Sequence, residues 1–486
     1  MNRQIVKLFA FIALLFAVLV GFTSYWAVFD AKALKEKEAN KRPLLEQQQI
    51  RRGRILAADG TVIAKSVAKG RGDGLRYVRR YPQGSLYGHP IGYSFVRQGD
   101  SEFEQFHNDE LVGEESEFSS ILDELLGHSQ EGNDVVTNLD PAAQRTALSD
   151  LEEAGFGAVV AIEPSTGAVK VMASNKAYDP NRVPYELEKL NRNVIETPLL
   201  NRATQGLYPP GSTFKVVTAA AGLESETITP ETTIDAPGTL EVEGTPLQND
   251  FNESFGPISL DTALTNSVNT WFGQLGQQLG NDLLFETMEK FGFNSTPPID
   301  LPDDEVYESG VSGEGGLLTA RDPVDLARVA IGQGGQEGQV LSTVTQMAEV
   351  AATVANGGKL MKPTLIEKVV DPDGRVTDEL DPEVQGDVMS EETASELADM
   401  MTSVVDEGTA ADLAGNLGGT TFAGKTGTAE INIEQDIAQP WFIAFAPVED
   451  PKIAVAVTTD PCAGCFGGTD AGPIATAVMN EILNGG

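Results

Sequence analysis

Tyr208-Pro209-Pro210-Gly211-Ser212-Thr213-Phe214-Lys215 stands directly ahead of an apolar run, Val216-Val217-Thr218-Ala219-Ala220-Ala221. Prolines and a glycine before such a run predict the start of a helix. Residues three positions apart lie on one face of a helix, so we expect the hydroxyl of Ser212 and the amine of Lys215 to be neighbours. Apolar surroundings desolvate an amine and favour its neutral form, which can act as a base for an adjacent serine nucleophile.

The Ser-x-x-Lys pattern is common, and a helix-capping serine with an unrelated surface lysine also fits it. Two later motifs make the catalytic interpretation specific. Ser267-Val268-Asn269 follows Ser212 by 267 − 212 = 55 residues, and Lys425-Thr426-Gly427 follows Ser267 by 425 − 267 = 158 residues. The ordered set is typical of enzymes that recognise penicillin through an active-site serine.

The histidine count excludes two other chemistries. The chain has 3 histidines, at His89, His107 and His128, and none follows position 128. The half of the chain that carries Ser212 can therefore supply neither the histidine of a Ser-His-Asp triad nor a histidine-ligated zinc. Another group must act as the base.

Length and charge limit the class of protein. The 486 residues are enough for two or three domains plus appendages. Lys and Arg total 34 against 72 Asp and Glu, which gives a formal net charge of −38. Such a surface repels phosphate backbones, so no nucleic-acid partner is expected. Adaptation to high salt and simple solubility both explain the acidity, and both stay open.

The N-terminal segment has the composition of a membrane anchor. Residues 8–29 form an uncharged run of 29 − 8 + 1 = 22 residues, enough to span about 30 Å of hydrocarbon at about 1.5 Å per residue. Arg3 and Lys7 precede it, which predicts a cytoplasmic tip and anchor over 1–30 with the rest outside the cytoplasm. A cleaved signal peptide ending near Ala31-Lys32-Ala33 is the alternative, although its apolar core is usually about 7–15 residues long.

Residues 31–150 are predicted to form an extracytoplasmic pedestal or linker domain. Residues 32–49 are rich in charge and predict a helical stalk, whereas residues 52–64 alternate around an Asp-Gly turn and predict a hairpin. Residues 102–124 are acidic and predicted to be partly helical. Nothing here indicates chemistry beyond a spacer.

Residues 151–486 have a different pattern, which predicts the catalytic domain. Two β-branched runs, at 158–162 and 168–172, flank a turn and predict a hairpin. Helices are expected after Ser212 and over 260–279, 322–331, 342–356, 391–405 and 473–483, and strands over 420–429, 441–446 and 452–457. Strands at both ends with helices between them predict an α+β fold with one antiparallel sheet.

The 2 cysteines form Cys462-Ala463-Gly464-Cys465 in a loop rich in Pro and Gly. A metal site would need more ligands, and a thioredoxin-like pair would need a strand-to-helix setting. A local disulfide between Cys462 and Cys465 that pins the loop is favoured, with free thiols as the alternative.

On these motifs the chain resembles the class B penicillin-binding proteins, which are membrane-anchored peptidoglycan D,D-transpeptidases. It is most similar to the small actinobacterial type that acts in division or septal wall synthesis. Further stretches that match the family are Asn201-Arg202-Ala203, Gly332-Gln333-Gly334, Ala355-Asn356-Gly357-Gly358 and Glu407-Gly408-Thr409-Ala410. The resemblance implies the serine penicillin-recognising fold, an antiparallel sheet flanked by helices plus an all-helical lobe, with a pedestal that is short for the family.

The resemblance also implies roles for individual residues. Ser212 would attack the carbonyl of a penultimate D-Ala or of a β-lactam, and neutral Lys215 would take its proton. Ser267 would relay a proton to the leaving amine. Asn269 would bind the donor peptide and help to hold Lys215.

On the strand side of the implied site, Lys425, Thr426 and Thr428 would bind the terminal carboxylate. Gly427 would let the strand approach the acyl group. The backbone N–H groups of Ser212 and Thr428 would form the oxyanion hole.

No cofactor is implied. The implied partners are peptidoglycan stem peptides, β-lactam antibiotics, a SEDS-type glycosyltransferase and membrane proteins of the divisome or elongasome.

Three alternatives compete with this interpretation. Residues 419–426 satisfy the P-loop pattern, but no helix signal follows them. A β-lactamase would need a base that activates the deacylating water, and the Glu-x-x-x-Asn motif of the class A type is not apparent after Ser267. A β-lactam sensor or scaffold without turnover usually carries a cytoplasmic output domain, whereas only seven residues precede the apolar run.

Overall fold

The computed structural model describes residues 2–24, 49–113, 131–335, 337–432 and 435–485. The predicted stalk, apart from Gln49, lies outside the described residues. So do the signal-peptide cleavage site, the predicted acidic helix beyond Gly113, and His128.

The N-terminal apolar run is helical from Asn2 to Ser24. Over Arg3–Phe22 its mean hydropathy is 2.7 and none of it is buried against the rest of the chain. Within the described residues it is the one helix long and apolar enough to cross a membrane, a property that signal sequences share. The helix is therefore consistent with both interpretations of this segment.

The hairpin predicted over 52–64 is confirmed, because strand Ile55–Leu56 pairs antiparallel with Val62–Lys69. It belongs to a six-stranded sheet, here called the pedestal sheet. In spatial order its strands are Val376–Glu379, Ile366–Val370, Asp134–Thr137, Ile55–Leu56, Val62–Lys69 and Arg76–Arg80. The first two of these lie more than two hundred residues beyond the others, so the part of the chain that is predicted to be catalytic completes the pedestal sheet.

A buried ion cluster lies inside the pedestal. The Glu104 carboxylate is fully buried and accepts hydrogen bonds from Arg52 Nε at 2.8 Å, Arg79 Nε at 2.6 Å and the Tyr81 hydroxyl at 3.0 Å. Buried charges are tolerated only when they are paired in this way. Around the cluster lie the helices Gly88–Ile91, Glu102–Phe106 and Asn108–Val112 and the short strands Ser94–Phe95 and Gly99–Asp100.

The predicted antiparallel sheet of the catalytic domain is confirmed, and it is called the catalytic sheet below. In spatial order its main strands are Ala423–Asn432, Ile437–Ala446, Ile453–Thr459, Gly157–Ile162 and Val169–Ser174, and Cys462–Ala463 pairs beside the second of them. Its central strands are buried on both faces. Helices Pro141–Ala154 and Gly472–Asn484 pack on each other and on this sheet, and helix Val344–Ala355 also packs on it.

Two predicted helices differ from the structure for local reasons. The helix expected over 260–279 is two helices, Leu260–Thr265 and Asn269–Lys290, because Ser267 adopts a left-handed φ of 58° between them. The helix expected over 322–331 is the single turn Leu326–Val329. Pro323 disfavours a helical conformation at Asp322. The Asp325 side chain accepts the Arg328 N–H and caps the helix, which begins at the next residue.

The other helices match their predicted positions within a few residues, and one continuous hydrophobic core joins them to the catalytic sheet. The remaining α-helices are Val183–Arg192, Lys215–Glu224, Glu391–Asp406 and Gly467–Asp470. The remaining strands are Ile234–Ala236, Thr239–Val242, Thr245–Gln248, Gly256–Ile258, Gly310–Gly313, Gly316–Leu317, Gln339–Leu341, Lys359–Met361 and Val384–Asp387.

Candidate active site

Ser212 lies in a 3₁₀ turn, Gly211–Phe214, that continues into helix Lys215–Glu224. The turn is pressed against the catalytic sheet at Gly211, where an added Cβ would lie 2.9 Å from the backbone N of Ala429. Gly211 also has a φ of 54°, which a glycine adopts without strain. The turn therefore fixes Ser212 beside the edge strand, with its side chain half-buried.

The amine of Lys215 is at the centre of the site. Its Nζ lies 3.0 Å from Ser212 Oγ, 2.7 Å from Asn269 Oδ1 and 2.5 Å from the Ser267 carbonyl oxygen. Burial and the nearby Lys425 lower the pKa of Lys215 well below its usual value, although Asp250 acts in the opposite direction. A neutral amine at this distance can accept the proton of the Ser212 hydroxyl.

Ser267 connects the two lysines of the site. Its Oγ lies 3.1 Å from Lys215 Nζ and 3.0 Å from Lys425 Nζ. The left-handed backbone of Ser267 is uncommon for a residue with a side chain, and such conformations persist where the surrounding structure enforces them. Here the break between two helices turns the hydroxyl toward both amines.

Asn269 begins helix Asn269–Lys290 and is held from two sides. Its Oδ1 accepts from Lys215, and its Nδ2 donates to the Gln248 carbonyl oxygen at 2.8 Å. The next residue donates its backbone N–H to Asn249 Oδ1 at 2.9 Å. The segment at Gln248 and Asn249 therefore fixes the orientation of the Asn269 amide.

The edge strand Ala423–Asn432 contributes Lys425 to the site. Lys425 is fully buried, and its Nζ is also 3.1 Å from the Thr426 carbonyl oxygen. Burial lowers the pKa of Lys425 to about 7, with Asp250 offsetting part of the effect. Of the two lysines, Lys425 thus keeps more of its positive charge near neutral pH.

The residues after Lys425 line the same edge. Thr426 Oγ1 lies 2.7 Å from Thr409 Oγ1, and Thr428 Oγ1 lies 3.4 Å from the Gly467 backbone N. At Gly427 an added Cβ would lie 2.7 Å from the Pro210 carbonyl oxygen. The close approach at this glycine is therefore between the edge strand and the turn that carries Ser212.

The structure brings all the predicted site residues into this one region. It joins Ser212, Lys215, Ser267, Asn269 and Lys425 by direct contacts, and it places Thr426, Gly427 and Thr428 on the adjoining strand. Sequence patterns assigned no role to Gln248, Asn249, Gly467 or Thr409. Only Thr409 carried a signal, as part of the stretch Glu407-Gly408-Thr409-Ala410 that matched the family.

The P-loop alternative is wrong. The residues after Lys425 and Thr426 continue as a strand to Asn432, paired with Ile437–Ala446, instead of starting a helix. A P-loop requires a helix N-terminus that faces phosphate.

Comparison with known proteins agrees with this geometry. The model of the penicillin binding protein transpeptidase domain matches residues 157–484. The chain belongs to the penicillin-binding protein transpeptidase family. The model of the penicillin binding protein A dimerisation domain also matches, over residues 52–135. The resemblance inferred from the motifs is confirmed.

Similar proteins cover the whole chain. It is 33% identical to the peptidoglycan D,D-transpeptidase PbpA of Mycolicibacterium smegmatis, over 100% of both chains. It is 32% identical to PbpA of Mycobacterium tuberculosis, again over 100% of both. Among solved structures, the imipenem acyl-enzyme complex of M. tuberculosis penicillin-binding protein A superposes with a TM-score of 0.78 at 32% identity, covering 90% of this chain and 100% of that one. A D,D-transpeptidase domain from Eggerthella lenta gives a TM-score of 0.75 at 32% identity, and the match covers 90% of this chain and 97% of that one.

Proposed function

We propose that this chain is a serine-type peptidoglycan D,D-transpeptidase that β-lactam antibiotics acylate at Ser212. One observation carries the proposal: Lys215 Nζ, buried and with a lowered pKa, lies 3.0 Å from Ser212 Oγ. The curated relatives that match the whole chain are named for this activity, and neighbouring structures are acyl-enzyme complexes with β-lactams.

In the first half-reaction, Ser212 Oγ forms a bond to the carbonyl carbon of the penultimate D-Ala while its proton passes to Lys215. The bond to the terminal D-Ala breaks, and the leaving amine takes a proton delivered through Ser267, whose hydroxyl lies 3.1 Å from Lys215 Nζ. In the second half-reaction, an amine of a neighbouring stem peptide attacks the ester. The new amide forms, the amine loses a proton, and Ser212 regains its own.

The strand side of the site suits a carboxylate. Lys425 supplies the positive charge, and Thr426 and Thr428 supply hydroxyl groups on the same strand. The oxyanion would be bound by the backbone N–H groups of Ser212 and Thr428, and each such donor typically contributes about 3–4 kcal/mol to lowering the barrier. A β-lactam presents a carboxylate and a strained amide to these same groups, and the acyl group stays on Ser212.

The setting of the reaction is proposed from the sequence and the family. Residues 1–30 anchor the chain as a single-pass protein of the plasma membrane, residues 31–150 raise the catalytic domain from the surface, and residues 151–486 catalyse outside the cytoplasm. Within the last domain, strands Ile366–Val370 and Val376–Glu379 join the pedestal sheet. A SEDS-type glycosyltransferase and membrane proteins of the divisome or elongasome would act beside this membrane-anchored chain.

Labelling with a fluorescent penicillin tests the proposal. The native chain should become covalently labelled, and Ser212→Ala should abolish labelling while the melting temperature stays close to that of the native chain. Labelling that survives in Ser212→Ala would show that the nucleophile is wrongly assigned.

Intact mass spectrometry over hours then separates the alternative functions. A stable acyl adduct together with cross-linking of stem peptides supports the transpeptidase. Rapid loss of the adduct with release of hydrolysed drug would identify a β-lactamase. A stable adduct without turnover of any peptide would identify a sensor or scaffold.

A further inference from the structure

The segment 461–468, here called the disulfide loop, lies beside the edge strand of the catalytic sheet. Cys462 and Cys465 are joined by a disulfide, with their Cα atoms 5.3 Å apart. Cys462 is exposed and Cys465 is buried. The loop starts as a strand, Cys462–Ala463, that pairs antiparallel with Ile437 and Ala438. One end of the loop is thus fastened to the catalytic sheet.

The other end of the loop contacts the candidate site. An added Cβ at Gly467 would lie 2.2 Å from the Trp441 carbonyl oxygen and 2.5 Å from that of Gly427. The Gly467 N–H points to Thr428 Oγ1 at 3.4 Å. The backbone of Gly467 therefore packs directly against the edge strand at Gly427 and Thr428, the strand that is proposed to bind the carboxylate.

A second contact reaches Thr426 through Thr409. At Gly468 an added Cβ would lie 3.0 Å from the Thr409 carbonyl oxygen. The Thr409 hydroxyl is in turn 2.7 Å from the Thr426 hydroxyl. The loop thus supports both threonines, Thr428 directly and Thr426 through one intermediate residue.

The disulfide restricts the backbone conformations of the disulfide loop. Between the two cysteines lie Ala463 and Gly464, and Gly464 has a left-handed φ of 69° and donates its N–H to the Asp436 carbonyl oxygen at 2.9 Å. After the second cysteine, the Phe466 N–H donates to Asp470 Oδ2 at 2.9 Å and starts the helix Gly467–Asp470. Closing the four-residue ring removes backbone conformations that would let the Gly467 turn move away from the strand.

We propose that the disulfide loop is a positioning element for the carboxylate-binding half of the site, and that reduction of Cys462–Cys465 weakens binding of the substrate carboxylate. The inference rests on the proposed function, because the carboxylate belongs to the stem peptide or β-lactam. Reduction by a dithiol delivers two electrons and two protons to the disulfide; it yields two thiols and leaves the dithiol oxidised to its own disulfide. Disulfides persist outside the cytoplasm, where the catalytic domain is placed.

Saturation kinetics of acylation on the full chain in detergent micelles test this inference. Three states are compared: the oxidised chain, the chain reduced with dithiothreitol, and the variant Cys462→Ser/Cys465→Ser. With a carboxylate-bearing penicillin, loss of the disulfide should raise the half-saturating concentration about tenfold, the equivalent of one charge-assisted hydrogen bond. The fraction of chain that can be labelled should stay within about twofold.

The controls separate positioning from unfolding. A penicillin ester, which lacks the carboxylate, should show nearly the same half-saturating concentration in all three states. Dithiothreitol should not change the serine variant. Gly467→Ala should reproduce the weaker binding, whereas Gly386→Ala, where an added Cβ meets nothing within 4 Å, should not.

Equal half-saturating concentrations in the three states, with thiol titration confirming reduction, would overturn the inference. A loss confined to the labelled fraction would overturn it too, because it would indicate a structural role alone. Failure of the oxidised native chain to label at all would instead refute the proposed function, so the two failures are distinguishable.

Discussion

Lys215 and Lys425 lie on two sides of one hydroxyl group. Both lysines are fully buried, and their Nζ atoms are 3.1 Å and 3.0 Å from Ser267 Oγ. Two like charges so close in a desolvated site cannot both persist, and the pKa of Lys215 is lowered both by burial and by Lys425. We therefore propose that Lys215 is the neutral base and that Lys425, which keeps more of its charge near neutral pH, binds the substrate carboxylate.

This division of roles predicts the pH dependence of acylation. The rate constant should rise with pH as Lys215 becomes neutral, and it should fall as Lys425 loses its charge near its pKa of about 7. The falling limb should be present for a carboxylate-bearing penicillin and absent for the corresponding ester. The second-order acylation constant measured from pH 5 to 10 checks this, and the same falling limb for both compounds would contradict it.

Removal of the base gives a second prediction. Lys215→Ala should lower the acylation constant by about 100-fold or more, the usual effect of losing a positioned general base. Because truncation leaves a cavity, Lys215→Met serves as the variant of matched volume and should lose as much activity. Stopped-flow labelling measures the acylation constant, and thermal melting of the same variants shows whether they are folded. Acylation at the native rate in a folded Lys215→Met chain would remove Lys215 as the base.

The close approach at Gly427 gives a third prediction. In Gly427→Ala the new Cβ would meet the Pro210 carbonyl oxygen at 2.7 Å and Thr213 Cγ2 at 2.9 Å, so the edge strand must move away from the turn that carries Ser212. A displacement of about 1 Å can cost about 100-fold in rate, and we expect a loss of that order in acylation. Gly386→Ala, on a strand with open space, is the matched control. Equal acylation by the two variants would contradict the prediction.

A fourth prediction concerns stability, at a contact between the pedestal and the catalytic domain. The Glu102 N–H donates to Glu305 Oε2 at 2.5 Å, and Glu102 Oε2 is buried without a hydrogen-bond partner among the described residues. Burial raises the pKa of Glu305 to about 7 and the pKa of Glu102 well above its usual value. The folded state thus favours the protonated carboxyl groups.

Because the pKa values of both glutamates are raised in the folded state, protonation at low pH stabilises the folded state. The stabilisation is complete below the pKa of an unfolded glutamate, about 4.3, and it is lost as pH rises through the raised folded values. The melting temperature should therefore fall between pH 5 and 8 by about 2 °C more in the native chain than in Glu305→Gln. Glu379→Gln, an exposed glutamate of the pedestal sheet, should behave like the native chain. Parallel melting curves for the native chain and Glu305→Gln would contradict the prediction.

Local patterns were sufficient for much of the fold. The first hairpin, the three late strands and the last helix were predictable because alternation and β-branching act over a few residues. The helix expected over 260–279 is interrupted at Ser267, where the backbone is left-handed and the hydroxyl contacts Lys215 and Lys425, and no local signal encodes this break. Strands Ile366–Val370 and Val376–Glu379 were missed because their partners lie in the pedestal, far away along the chain.

The sequence by itself predicted the groups that we propose for the chemistry, and it determined their order along the chain. It also determined the neighbourhood of Ser212 and Lys215, because a spacing of three residues on a helix is a local geometric fact. Only the tertiary structure decided that Lys425 reaches Ser267 across 158 residues, at 3.0 Å. The pKa shifts of both lysines were likewise decided by burial and by each amine's charged neighbours, which other segments provide and which no short window of sequence contains.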